Sequence, residues 1–122
     1  MKTVLAMAAI VALGLPGLAA AADDAAGAWK MNGRVDGKDF VVNCHFERRG
    51  DGLGGACFDG GTNLKHLLTS GSVKGDQVKW TYVSHKVMLP FDVVWVGKLS
   101  GATMQGTVAA VGHNGTFTAT KE

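Results

Sequence analysis

Cysteine is scarce in this sequence. Of its 122 residues only Cys44 and Cys57 are cysteines, and they form no Cys-x-x-Cys pair. Zinc ribbons and dithiol redox motifs are therefore not expected. Concentrated charge of one sign is missing too. The formal net charge is +2, and the one local basic cluster is Arg48-Arg49. A dedicated nucleic-acid binder needs a basic surface, so no nucleic-acid partner is expected. No segment keeps an apolar period of 3.6 over three turns, which excludes a helical bundle. There is no paired-carboxylate motif, no nucleophile turn and no phosphate loop. The Gly-rich run GDGLGG (50–55) has no helix behind it and reads as a hairpin turn. Neither a cofactor nor a metal is expected, and no catalytic residue is assigned.

The first residues, MKTVLAMAAIVALGLPGLAAAADD, carry one charge, Lys2, before Asp23. The apolar run is broken by Gly14, Pro16 and Gly17 and ends in alanines, with Ala20 and Ala22 at the small-residue positions of a cleavage site. This is the layout of a secretory signal peptide over 1–22, with an uncleaved membrane anchor as the alternative. Removal leaves a single domain, 23–122, with 100 residues and a net charge of +1. A domain of that size folds alone, but its core is small and a covalent staple helps. The expected location is periplasmic or extracellular, with no membrane span after cleavage.

Past residue 22 the chain has one proline, Pro90, and many glycines. Short segments rich in Val, Thr, Phe and Trp alternate with turn residues. Eight strands are expected, over 28–35, 38–48, 53–58, 64–73, 77–85, 91–99, 103–111 and 116–121. The connections are too short for crossover helices, so neighbours pair antiparallel. The expected fold is all-β, an eight-stranded antiparallel up-and-down β-barrel, which leaves no exposed edge. A two-sheet sandwich is the alternative. One parity collects apolar residues in several strands: Phe40, Val42, Cys44 and Phe46; Val78, Trp80 and Tyr82; Phe91, Val93, Trp95 and Leu99. Gly97 and Gly106 relieve crowding or mark strand bends.

Two cysteines in an exported domain favour a disulfide. Pairing Cys44 opposite Cys57 sets Phe46 opposite Gly55 and Arg48 opposite Leu53, leaving Arg49–Gly52 as the loop. Closing it adds on the order of 3 kcal/mol by the chain-entropy model. A shared metal or a Cys/His catalytic pair fails, because adjacent strand residues Cys44 and His45 point to opposite faces.

The expected ligand-binding residues are Trp80, Tyr82, Trp95 and His66, lining a cavity for a flat or greasy ligand; filling a small core is the alternative for the aromatics. His66 shares parity with Leu64 and Leu68 and looks inward, as a binding or a satisfied core residue. His45 faces solvent, His113 lies in a turn and His85 at the rim. Asp36, Asp51, Asp59 and Asp76 lie beside glycines and read as turn formers. Asp92 points outward.

The tripeptide Gly27-Ala28-Trp29, with the strand count and the VGHNGTFTATK tail, resembles the calycin group of small barrels, which includes lipocalins and avidins. The resemblance implies that Trp29 plugs the base of the barrel. Avidins carry an asparagine and a serine where this chain has Met31 and Val35, so biotin binding is not implied. A secreted barrel of this size with one hairpin disulfide is also similar to bacterial periplasmic metalloprotease inhibitors, which act through an N-terminal segment. The expected function is binding of a small apolar or aromatic ligand in the cell envelope. The alternatives are an inhibitor of a secreted hydrolase acting through residues 23–27, and a small barrel cyclase or isomerase using His66 or Tyr82.

Overall fold

A computed structural model describes residues 25–122. The leader over 1–22 and the cut before Asp23 lie outside the described residues. The described chain is β1 (Gly27–Val35), β2 (Lys38–Arg49), β3 (Gly52–Asp59), β4 (Lys65–Lys74), β5 (Gln77–Lys86), β6 (Leu89–Ser100), β7 (Thr103–Ala110) and β8 (His113–Lys121). Each strand pairs antiparallel with the next, and β8 returns to β1 to close an eight-stranded barrel, with no sandwich and no open edge. Among the described residues, no helix is long and apolar enough to cross a membrane.

Closure lengthens the strands beyond their apolar cores. Arg49 pairs with Gly52, so the second hairpin turns on Gly50-Asp51 alone and not on four residues. Gly50 has φ 64°, the sign required at the first central position of a type II′ turn. Leu89 and Pro90 pair with Lys86 and His85, which moves the fifth turn back to Val87-Met88. His113 pairs with Ala110, so the last turn is Val111-Gly112 and His113 opens β8.

The remaining hairpin register is as expected. Cys44 faces Cys57, Phe46 faces Gly55 and Arg48 faces Leu53. The two sulfurs are bonded at 2.09 Å. The disulfide is compatible with an oxidising, exported location. His45 is exposed on the outer surface, away from the bridge.

The fourth strand departs from simple alternation. Its pairing with β5 shifts register between Leu68 and Ser70, and its pairing with β3 shifts over the same stretch. This one-residue bulge reverses parity along the strand. His66 and Leu68 face inward before it, Gly71 and Val73 after it. Leu64 lies before the strand and is exposed, as is Leu67.

The barrel has two unlike ends. The base gathers the start of β1, the end of β8 and the turns at 50–51, 75–76 and 101–102. Trp29 is fully buried there, its indole Nε1 donating to the Ala25 carbonyl at 3.1 Å. Lys121 Nζ sits 5.7 Å from the Trp29 ring centroid. Above it, the middle of the barrel is filled. Trp80 and Trp95 stack, centroids 5.5 Å apart and 8° from parallel. Phe46 meets Trp80 edge-on at 4.9 Å, and Phe117 meets Trp95 at 5.0 Å. Each such aromatic pair adds about 1 kcal/mol beyond the area it buries.

Gly97 and Gly106 face each other across β6 and β7; Gly97 makes room for this cluster and Gly106 for the backbone of β6. A Cβ on Gly97 would lie 2.5 Å from Met104 Sδ and 2.9 Å from Phe117 Cζ. A Cβ on Gly106 would run into the carbonyl oxygen of Val96.

Candidate functional site: an open mouth above a tryptophan floor

The opposite end of the barrel is not filled. The turns Asp36-Gly37, Val87-Met88 and Val111-Gly112 border a cavity of about 960 Å³. Its walls are the upper inward residues of five strands: Val35, Phe40, Val42, Tyr82, Phe91, Val93, Val108 and Ala110. Trp95 forms part of its floor. The reason for the split lies in residue size along each strand. In the lower half the inward residues of β1, β5, β6 and β7 include Trp29, Met31, Trp80, Trp95 and Met104. In the upper half β6 and β7 offer the smaller Val93, Val108 and Ala110, with Phe91 half-buried near the start of β6.

The four aromatic and histidine candidates are distributed between wall and support. Tyr82 and Trp95 line the cavity. Trp80 lies beneath it, stacked on Trp95 and outside the lining. His66 stands behind Tyr82, the rings 4.9 Å apart and 14° from parallel. It touches Tyr82 and does not reach the cavity surface.

His66 is held from both sides. Its Nε2 is 3.0 Å from Asp59 Oδ2 and its Nδ1 is 3.2 Å from the Val83 carbonyl. The two contacts fix the ring between the end of β3 and β5. Asp59 was legible only as a glycine-flanked turn former. It ends β3, its backbone bonded to Asn63 and Leu64 across the turn, and the residue lines the cavity. The missed signal was inward parity: Leu53, Gly55, Cys57 and Asp59 alternate.

Polar groups in the cavity are few. Burial pushes the Tyr82 phenol up from 10.0 to about 12; the Trp95 side chain opposes the shift and the charge of Asp59 adds to it. The phenol is therefore a hydrogen-bond donor across the ordinary pH range. Trp80 Nε1 is buried with no acceptor in hydrogen-bond geometry, whereas Trp95 Nε1, equally buried, lies against the Tyr82 side chain. At the rim His113 Nδ1 and Asp36 Oδ2 pair at 2.6 Å, and Arg34 pairs with Asp39 at 2.7 Å on the outer surface. Lys38 and Lys86 reach the opening and make no ion pair among the described residues. The described residues hold no group of three or more His, Cys, Asp or Glu placed to bind a metal ion.

No family model and no curated protein matches the sequence. Among solved structures, the chain is similar to a redesigned beta barrel, with a TM-score of 0.70 and 16% identity over 84% of this chain and 95% of that one. Likeness at that identity speaks for the fold alone. The chain is thus a small closed β-barrel with a packed lower half and an apolar cavity at one end.

Proposed function

We propose that the protein binds a small apolar or aromatic ligand in the mouth of the barrel, as an exported protein of the cell envelope. The observation that carries this reading is the cavity of about 960 Å³ with an apolar wall and a Trp95 floor. Ligand pockets are typically concave, mostly apolar and of several hundred Å³, with a few placed polar groups. Tyr82, Trp95 and Asp59 are such groups. The tryptophans make the test direct. Titration with an apolar fluorescent probe should quench tryptophan emission, and Ala110→Trp, which fills the mouth, should weaken binding at least about tenfold, a loss of 1.4 kcal/mol. A probe that leaves the emission unchanged would sink the reading.

The inhibitor alternative needs a free arm over 23–27. Ala25 is fully buried and holds the Trp29 indole, so residues from 25 onward belong to the base. The cyclase alternative is supported by Tyr82 alone, the one candidate of its pair that reaches the cavity. An unchanged rate in His66→Ala/Tyr82→Phe would dispose of it.

A further inference from the structure

We infer that the mouth end of the barrel docks on an anionic lipid bilayer, with the tips of the β5–β6 and β7–β8 turns among the lipids and Lys38 and Lys86 on the headgroups. Docking of this kind needs no ligand in the cavity, so it stands or falls apart from the ligand-binding reading above.

The two ends of the barrel differ in what they show to solvent. Seven large apolar residues are exposed among the described residues, and four of them, Val87, Met88, Leu89 and Val111, sit at two turns of the mouth. The base turns 50–51, 75–76 and 101–102 carry none. Apolar residues exposed singly need no account, but a cluster at one end marks a contact surface. These tips are also held under strain. Val87, Met88 and Val111 have φ of 50°, 71° and 49°, a region that Asn and Gly enter readily and a β-branched residue does not. Strained residues of this kind gather where a surface has work to do.

Charge names the partner. Lys38 and Lys86 line the same opening as Val87, Leu89 and Val111, and neither makes an ion pair among the described residues. The acids nearest the opening are occupied. Asp36 holds His113, Asp39 holds Arg34 and Asp59 holds His66, at 2.6, 2.7 and 3.0 Å. Asp92 is exposed on the outer wall, three residues along β6 from Leu89. The free charge at the rim itself is therefore positive. Apolar tips flanked by lysines suit a bilayer with anionic headgroups: the tips enter the interface while the ammonium groups meet phosphates. A second copy suits this face poorly, because mouth-to-mouth contact would bring Lys38 and Lys86 of both copies together. Val87 and Met88, at 87% and 91% exposed, stand clear of the barrel and form no flat face for a protein partner.

Co-sedimentation of the purified protein with vesicles tests this, using phosphatidylcholine alone and phosphatidylcholine with phosphatidylglycerol in equal parts. The mixed vesicles should bind the protein at least about tenfold more tightly, and added salt should erase most of the difference. Lys38→Gln/Lys86→Gln should weaken binding to the mixed vesicles about fivefold for each lysine. Lys74→Gln/Lys79→Gln removes the same charge from the lower ends of β4 and β5, where both lysines are exposed, and should bind as wild type does. Val87→Asn/Met88→Gly should bind the mixed vesicles at least about tenfold more weakly, having lost two apolar tips. A melting temperature no lower than that of wild type separates lost binding from lost fold in each variant, and the comparison of the two lipid mixtures with wild type decides if one is unfolded. No binding to the mixed vesicles at low salt overturns the inference, whether or not an apolar probe still quenches the tryptophans. Binding that both mouth variants retain places the contact elsewhere in the chain and overturns it too. A dimer in solution that Val87→Asn/Met88→Gly abolishes, without vesicle binding, makes a second copy the occupant and overturns it likewise.

Discussion

Asp59 Oδ2 lies 3.0 Å from His66 Nε2, tying the end of β3 to the start of β4 across the longest connection of the barrel. The histidine side chain is buried and the aspartate partly exposed, at 5% and 37%. Removing the carboxylate leaves a buried ring nitrogen without its partner. Asp59→Ala is expected to cost about 1–3 kcal/mol, the usual penalty for an orphaned buried polar group. Asp59→Asn, which retains an acceptor oxygen, should cost less. Urea midpoints of the two variants, compared at constant m, give the order. Equal midpoints for Asn and Ala would mean that the bond to His66 contributes little.

Reduction of Cys44–Cys57 should lower stability by roughly 3 kcal/mol, because the bridge closes a loop of 13 residues' separation. Non-reducing mass spectrometry should find the protein lighter by two hydrogens and inert to alkylation. Two thiols that react in the folded protein would contradict the bridge.

Gly106→Ala should be far more damaging than Gly97→Ala. At Gly106 the obstacle is the backbone carbonyl of Val96, which cannot move without disturbing the β6–β7 ladder. At Gly97 it is the thioether of Met104 and the tip of Phe117, which can adjust. Overpacking of the second kind costs about 1–3 kcal/mol. Thermal melts of the two alanine variants should rank Gly106→Ala as the less stable, or unfolded. The reverse order would remove the close β6–β7 approach as the reason for glycine there.

Tyr82 makes stability depend on alkaline pH. Its pKa stands at about 12 against 10.0 for a free phenol, so the folded chain holds the proton more tightly. The associated stability is complete below pH 10 and is lost as the pH climbs toward 12. A shift of this size corresponds to roughly 3 kcal/mol. Wild type should lose more stability than Tyr82→Phe between pH 9 and 12, measured as the difference in unfolding midpoints. Parallel curves for the two proteins would show that the phenol titrates normally.

The turn Val87-Met88 has φ of 50° and 71°, where Asn-Gly is the favoured pair. Its side chains are almost fully exposed, at 87% and 91%. A β-branched residue in the left-handed region costs about 1–2 kcal/mol. Val87→Asn/Met88→Gly should therefore raise the melting temperature. A lower melting temperature would mean that the apolar tips pack in solution.

The barrel was legible because its strands are written as alternation plus turns. The inward faces of β2, β5 and β6, the Cys44–Cys57 register and the outward His45 follow from alternation and turn position. Parity fails where a residue is inserted. The bulge near Thr69 hid the true inward set of β4, and Leu64 and Leu67 lie exposed. Turn rules failed where pairing overrode them: Val87-Met88 carries no turn signature, and Pro90 sits in a strand. The cavity could not be read from periodicity. Phe40, Trp95 and Val108 all alternate inward, and only their heights along the axis decide which residues fill the barrel and which line its mouth.

Both ends of the described chain lie at the base. Ala25 is tucked against Trp29 there, and the Glu122 amide donates to the Ala28 carbonyl at 2.8 Å. A surface, a label or a second protein joined on either side of residues 25–122 would therefore hold the barrel by its closed end. Coupled to a sensor chip through either side, every copy would present its mouth to the solution. Since the packed base blocks through-passage, whatever enters that mouth must leave by it.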